Sequence, residues 1–427
     1  MLNKKIFSTK NTEKSAYIWN TVASMLNAFQ TVLILMVISR LDPITDAGIF
    51  TIAFAIGNLM LTLGLYGARQ FQVSDVNNKY SFHEYLFARS ITCLIMIVAS
   101  IIYVGIYFTD GIYTKDKSLI IMLVCLAKSI DAFEDVFHGM FQQQGRLDIA
   151  GKILFFRLAC YVGVYIGLYV GTKNLITSSL VALIVSAAVS LTLNGIAMNS
   201  FPCKGKAAEP SHIMKLLAEC LPLFISSYLA MYIANAPKYA IDKVLDSEAQ
   251  ACFNYIFMPV FVIGLMSQFV YQPIIGRLSL IWHKKEIKDF HKLMIRQGII
   301  IGALSVLVLF CGYLLGIPVL SLLFHVDLSS FKAHFLILLT GGVFLAYIYF
   351  FQMIMTVIRK QNLLTIGYCF IYLILMFGGR IIVRAFGLMG ISIFYMLALA
   401  ALAIAFLIMV IVNVNLHKNT GKADNNG

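Results

Sequence analysis

Apolar runs of about twenty residues follow one another along this chain from end to end, and that is the length an α-helix needs to cross a bilayer. Windows of this size fall near 16–38, 47–66, 86–108, 118–138, 152–170, 176–198, 215–237, 251–272, 293–316, 332–358, 360–380 and 387–413. In hydrocarbon each backbone amide and carbonyl must find its partner inside the protein, and a single run of this length does so as a helix. A chain of 427 residues that is 60% hydrophobic and 12% charged also has more apolar surface than one soluble core could hide. The sequence predicts an all-α polytopic membrane protein of about twelve transmembrane helices. No stretch between spans is long enough for a separate soluble domain.

A formal charge of +13 raises the question of nucleic acid, but the basic residues sit between spans instead of forming a domain, so no nucleic-acid partner is expected. The lipid bilayer explains them better. Lys4, Lys5, Lys10 and Lys14 precede the first apolar run, which lacks the compact stretch and small-residue site of a cleaved signal and reads as an uncleaved span. With the N-terminus inside, most of the 33 basic residues fall on the cytoplasmic side, among them Arg69, Lys79, Arg89, Arg157, Lys204 and Lys206. That bias puts both termini in the cytoplasm of a cell that carries the protein in its inner or plasma membrane. Between Trp282 and Arg296, Ile287, Phe290 and Met294 recur at helical spacing among lysines, which fits either a helix along the inner surface or a solvated loop. The eight cysteines mostly lie in apolar runs without metal-ligand spacing, and Walker, His-Glu-x-x-His and Gly-x-Ser-x-Gly motifs are absent. No metal, cofactor or enzymatic chemistry is expected.

The sequence carries a faint internal repeat. Ile38 to Phe50 at the end of the first span and Ile241 to Phe253 at the end of the seventh match at an offset of about 203, pairing Arg40 with Lys243, Phe50 with Phe253 and Phe54 with Phe257. Six spans per half keep the two halves in the same orientation. The expected plan is two six-helix bundles, residues 1–198 and 215–427, joined by a cytoplasmic connector at 199–214 and related by a pseudo-two-fold axis along the membrane normal.

Charges at membrane depth are the first functional candidates, and the fourth span holds Lys128, Asp131, Glu134, Asp135 and His138 within an arc of about 120°. Lys128 can meet Asp131, and Asp131 can meet Asp135, leaving one carboxylate spare to bind a proton or cation. The alternative is a structural ion pair, with Glu134 and His138 at the cytoplasmic end outside the core. In the first span Asn20, Ser24, Asn27 and Thr31, with Gln30 beside them, make a polar stripe, and the seventh repeats it with Ser227, Asn235 and Lys238 near Pro222 and Pro237. Such stripes line a cavity or hydrogen-bond helix to helix. Arg40, Lys238, Lys243, Arg380 and Arg384 fall near outer ends and Arg69 near an inner one, where they suit phosphates or lipid headgroups. Tyr347 and Tyr349 near Gly341 could stack on sugars, with ordinary packing the simpler reading.

Three segments together resemble the polysaccharide transport branch of the multidrug/oligosaccharidyl-lipid/polysaccharide exporter (MOP) superfamily, the Wzx-type flippases. They are Arg40-Leu-Asp-Pro-Ile-Thr-Asp-Ala-Gly-Ile-Phe50, Phe141-Gln-Gln-Gln-Gly-Arg146, and Leu221-Pro-Leu-Phe through Tyr239-Ala-Ile-Asp-Lys243 into Phe253-Asn-Tyr255. The resemblance covers nearly the whole chain. It implies two bundles around a cavity of alternating access that moves an undecaprenyl-pyrophosphate-linked oligosaccharide to the outer leaflet, with ion coupling and polysaccharide polymerase machinery as a partner. Asp131, Asp135 and Lys128 are then the ion-coupling candidates, and Arg40, Arg69, Lys238, Arg380, Asn27 and Asn235 the substrate-binding ones. A multidrug and toxin extrusion (MATE) antiporter of the same superfamily is the competing reading, although such relatives place a carboxylate mid-way along the first or seventh span and this chain does not. A membrane polymerase or ligase would need larger outer loops, and a lipid II flippase more spans.

Overall fold

The computed structural model describes residues 11–41, 44–75, 79–201, 209–271, 274–284, 286–360 and 362–423. Lys4, Lys5, Lys10, Asp42, Pro43, Lys204, Lys206 and Lys285, with residues 202–208 of the expected 199–214 connector, lie outside these. Every regular element among the described residues is helical. They are α1 Thr12–Leu41, α2 Ile44–Leu65, α3 Ala68–Ser74, α4 Phe82–Thr109, α5 Lys115–Gln143, α6 Leu147–Thr172, α7 Leu175–Met198 and α8 Pro210–Asp242. Beyond these come α9 Ser247–Phe257, α10 Val260–Tyr271, α11 Ile275–His283, α12 Ile287–Cys311, α13 Ile317–Phe324, α14 Lys332–Val357 and α15 Asn362–Ala423.

Local chemistry sets the boundaries. Ser81 accepts from the Glu84 amide while the Glu84 carboxylate accepts from the Ser81 amide, a reciprocal cap that starts α4. Thr114, Asn174 and Asp246 cap α5, α7 and α9 in the same way with one side-chain oxygen each.

Nine helical segments among the described residues are long and apolar enough to cross a membrane. Three further spans complete the predicted twelve. α5 has the length but carries too much charge to read as lipid-facing. The expected span 251–272 is two helices, α9 and α10, broken at Met258–Pro259, where proline supplies no amide donor and its ring crowds the preceding turn. α15 holds two spans, separated at Gly387 with φ 58° and ψ −147°, a conformation that a side chain would forbid. Large apolar side chains such as Ile101 and Ile102 of α4 and Val306, Leu307 and Phe310 of α12 are exposed, the surface that lipid covers in a multi-pass protein.

The segment from Trp282 to Arg296 is neither a continuous surface helix nor a solvated loop. It is the end of α11, a turn and the first turns of α12, with the Trp282 ring 5.0 Å from a fully buried Phe290.

The chain divides into two compact units, Met1–Met231 and Tyr232–Gly427, with the division inside α8. In the first, α5 is the central helix and packs against α2, α3, α4, α6 and α7, while α1 lies along α6. The start of α8 is fastened to the same unit. Lys79 donates to Glu219 at 2.6 Å, His212 lies 2.9 Å from Glu84, and Ile213, Leu216 and Cys220 pack with Tyr80 and Tyr85. The Glu219 carboxylate holds the Lys79 ammonium above its ordinary range. In the second unit α14 is central and packs against α9, α10, α11, α12 and α15.

Lipid tails are as apolar as leucine, so helices associate in a bilayer through close packing of small residues and through polar bonds. Gly151 of α6 shows this: a Cβ there would stand 2.7 Å from the Asn20 backbone nitrogen of α1, closer than any side chain tolerates. A Cβ on Gly163 of the same helix meets nothing within 4 Å. Gly163→Ala should therefore leave thermal stability unchanged or raise it by up to about 1 kcal/mol through helix propensity. Gly151→Ala should lower it by about 1–3 kcal/mol despite the same propensity gain. Melting of the two purified variants in one detergent checks this.

Candidate functional site

The five ionisable groups of α5 lie on one face, as the sequence pattern predicted, and neighbouring helices complete them into a network inside the first unit. Toward α6 and α7, Lys128 donates to Asp131 at 3.0 Å, and the Arg157 guanidinium bridges Asp131 at 2.7 Å and Glu134 at 2.7 Å. Arg157 also donates to the Ser186 hydroxyl at 3.1 Å. The second Glu134 oxygen accepts from Ser190 at 2.8 Å and from Asn194 at 3.0 Å. Toward α3 and α4, Asp135 takes one oxygen to Arg69 at 3.0 Å and the other to Arg89 at 2.8 Å, and Arg69 reaches Gln142 at 2.9 Å.

This arrangement corrects several expectations. Asp131 does not pair with Asp135; each carboxylate is matched by two cations from different positions, so none is spare. Glu134 and His138 are not outside the core but buried, with His138 3.8 Å from Glu134. Arg89 and Arg157, counted as cytoplasmic-end charges, are also buried. With His138 neutral, four cations face three carboxylates, and the surplus is positive. Sequence reasoning missed the second shell of donors, although Ser186, Ser190 and Asn194 recur at steps of four on α7 and mark a polar stripe.

A small cavity with room for about one water molecule opens beside this network. Its wall includes Gln30 of α1, Phe54 of α2, Lys128 and Asp131 of α5, Arg157 of α6 and Ser186 of α7. The Lys128 ammonium stands 5.4 Å from the centre of the Phe54 ring, a cation–π contact. Asp131 is the network carboxylate that reaches this cavity, while Asp135 serves the other wing.

The polar stripe of α1 divides. Gln30 is buried at the cavity and donates to the Asn27 side chain at 2.7 Å, while Asn27 and Ser24 are exposed. Arg40 is exposed at the end of α1, and Arg380 and Arg384 are exposed on α15 before its break. Arg69 is committed to Asp135 with a third of its side chain open. In the second unit Asn235 is buried, and the Lys238 ammonium lies 5.2 Å from the Phe257 ring centre. Tyr347 donates to the Gly298 carbonyl at 3.0 Å, a packing role. No metal-ligand cluster and no disulfide occurs among the described residues.

Solved structures with this helix arrangement are transporters. The chain matches an inward-facing MATE family transporter of the MOP superfamily with a TM-score of 0.66 and 16% identity, covering 95% of this chain and 99% of that one. It matches a MOP superfamily transporter from Pyrococcus furiosus with a TM-score of 0.58 and 16% identity over 97% and 98% of the two chains. The Vibrio cholerae MATE transporter VcmN matches with a TM-score of 0.62 and 10% identity over 94% and 97%. The chain thus has the fold of MOP superfamily transporters and is a multi-pass membrane protein. Among curated proteins it is similar to the capsular polysaccharide biosynthesis protein CapF of Staphylococcus aureus, 24% identical over 333 residues that span 76% of this chain and 80% of CapF. No protein-family model matches the chain.

The network makes an asymmetric forecast for substitutions. Arg157→Met leaves Glu134 without a cation and Asp131 with Lys128 alone in a buried site, and should cost about 3–5 kcal/mol. Lys128→Met leaves three guanidinium groups against three carboxylates and should cost far less, about 1–2 kcal/mol. Thermal unfolding of both variants beside the parent reads the difference, and equal losses would mean the charge balance does not govern this core.

Proposed function

We propose that this protein is a flippase that moves an undecaprenyl-pyrophosphate-linked oligosaccharide from the cytoplasmic to the outer leaflet by alternating access. The observation that carries this reading is the charge balance of the buried network. A carrier that captures cationic drugs needs an uncompensated carboxylate, and here every carboxylate of the network is matched, with one cation in surplus. Similarity to a capsular polysaccharide biosynthesis protein along most of both chains supports a saccharide-related cargo. In this reading both termini lie on the cytoplasmic side of the cell membrane, which the distribution of Lys and Arg supports.

Asp131, at the cavity, is the coupling carboxylate, Lys128 tunes it, and Asp135 holds α3 and α4 to α5. Arg40 and Arg380, exposed near outer ends, meet the pyrophosphate with charge-assisted hydrogen bonds, Arg69 does so near the inner end, and Asn27 meets sugar hydroxyls. Asn235 and Lys238, which lie inside the second unit, are left out of this set. A MATE-type cation antiporter is the second reading, favoured by the identity of the solved neighbours.

Proteoliposome flux separates the two. The protein should transfer undecaprenyl-pyrophosphate oligosaccharide between leaflets faster under a pH gradient, and Asp131→Asn should reduce the gradient-driven rate by about 5–150-fold, the range of an ordinary coupling free energy. Drug-cation exchange without lipid transfer would establish the antiporter instead. Normal gradient response in the Asp131→Asn, Asp135→Asn double variant would remove these carboxylates from coupling.

A further inference from the structure

The second unit buries polar groups that nothing among the described residues satisfies. On α9, Gln250, Asn254 and Phe257 are four and three residues apart and share one face within about 60°. Gln250 and Asn254 are each 1% exposed and Tyr395 of α15 is fully buried. Yet the Gln250 amide nitrogen and oxygen, the Asn254 amide nitrogen and the Tyr395 hydroxyl have no hydrogen-bond partner among the described residues. Each such group left dry costs about 1–3 kcal/mol, so a native core that keeps three of these side chains keeps them for an occupant.

A charge adjoins Phe257, at one end of that face. The Tyr395 ring packs 5.6 Å from Phe257, and the Lys238 ammonium of α8 lies 5.2 Å from that same ring. Among the described residues the Phe257 ring is the only partner of Lys238, whereas Asp242, one turn further along α8, has a partner of its own. The first unit shows what is missing. There the repeat-equivalent ring, Phe54, also carries a lysine, but Asp131 neutralises it at 3.0 Å. No carboxylate does so for Lys238 among the described residues.

We propose that Lys238, Gln250, Asn254 and Tyr395 form a binding site for a small monovalent anion of the halide class in the second unit, with Lys238 half-buried and the other three side chains buried. All four side chains can donate: the ammonium, two amide nitrogens and a phenol. One cation among neutral donors fixes the charge of the ligand. A monovalent anion brings the site to neutrality, while a doubly charged phosphate would leave a net negative charge in a low-dielectric core. Water could satisfy the amides and the phenol but not the unbalanced ammonium. The bound anion would supply to Lys238 the counter-charge that the Asp131 carboxylate supplies to Lys128 in the first unit. The site involves residues of the second unit alone and does not depend on the flippase reading.

Halide dependence of the purified full chain tests this at constant ionic strength, with chloride or bromide exchanged against gluconate. The parent protein should show a saturable, halide-specific rise in Tm of about 2–4 °C. Lys238→Met and the Gln250→Leu, Asn254→Leu double variant should lose that rise, and Lys238→Arg should keep it. A response that is equal in halide and gluconate, or that survives Lys238→Met, overturns the proposal. Where the Met variant does not fold, crystals of the parent grown in bromide decide. An anomalous peak within contact of the Lys238 ammonium supports the site, and its absence at full bromide concentration, with only water there, overturns it.

Discussion

Ionised groups can be kept in a medium that does not solvate them only if they are matched, and much of the first unit follows from that constraint. Arg157 is buried, so its fork must find acceptors. It finds Asp131 and Glu134 on α5 and Ser186 on α7, and in doing so ties three helices together. Asp135 performs the converse task, gathering Arg69 of α3 and Arg89 of α4 onto α5. Apolar burial gives little preference for one helix neighbour over a lipid tail. Which helix lies beside which is therefore set by these directional contacts and by close approaches such as Gly151 on Asn20.

The spans were legible because length and apolarity report directly on the bilayer, and the fourth was legible for the opposite reason, its cost. The five charges of α5 fall on one face by simple periodicity, and the i to i+3 pair of Lys128 with Asp131 is there. The rest of the network was not readable along the chain. Its cations come from Arg69, Arg89 and Arg157, between 20 and 70 residues away in sequence, and a hydropathy window gives each of them a position without a depth. Hence the sequence suggested a spare carboxylate where the fold supplies two cations. The break at Pro259 and the turn after His283 escaped for a related reason: apolar content continues through both, while the backbone does not.

The repeat gains physical content from the two units taken separately. The Phe50 and Phe54 rings lie 4.6 Å apart and tilted in the first, Phe253 and Phe257 stack 5.4 Å apart in the second, and a lysine covers the second ring each time. The lysines come from different helices, α5 and α8, so the likeness lies in local chemistry and not in residue-for-residue descent of the cation. Around that shared feature the units diverge in electrostatics. The first sets its lysine among carboxylates and a guanidinium group, and the second sets its lysine against an aromatic ring with no carboxylate partner among the described residues.

Charge balance also fixes the direction in which a proton would act on the first unit. With a spare carboxylate, protonation would remove a buried charge and favour the drier state. The observed network carries one net positive charge with His138 neutral, so a proton added to Asp131 raises it to two and breaks the contacts to Lys128 and Arg157. Two like charges beside a cavity with room for one water are costly, and the cost falls when more water enters. In the proposed cycle, protonation at Asp131 would therefore favour the state that wets the cavity between Gln30 and Lys128, and deprotonation the fully matched arrangement described here. In the proposed flippase an ion gradient would act through this site by alternately wetting and drying one helix face, with Arg157 as the fixed charge against which the change is felt.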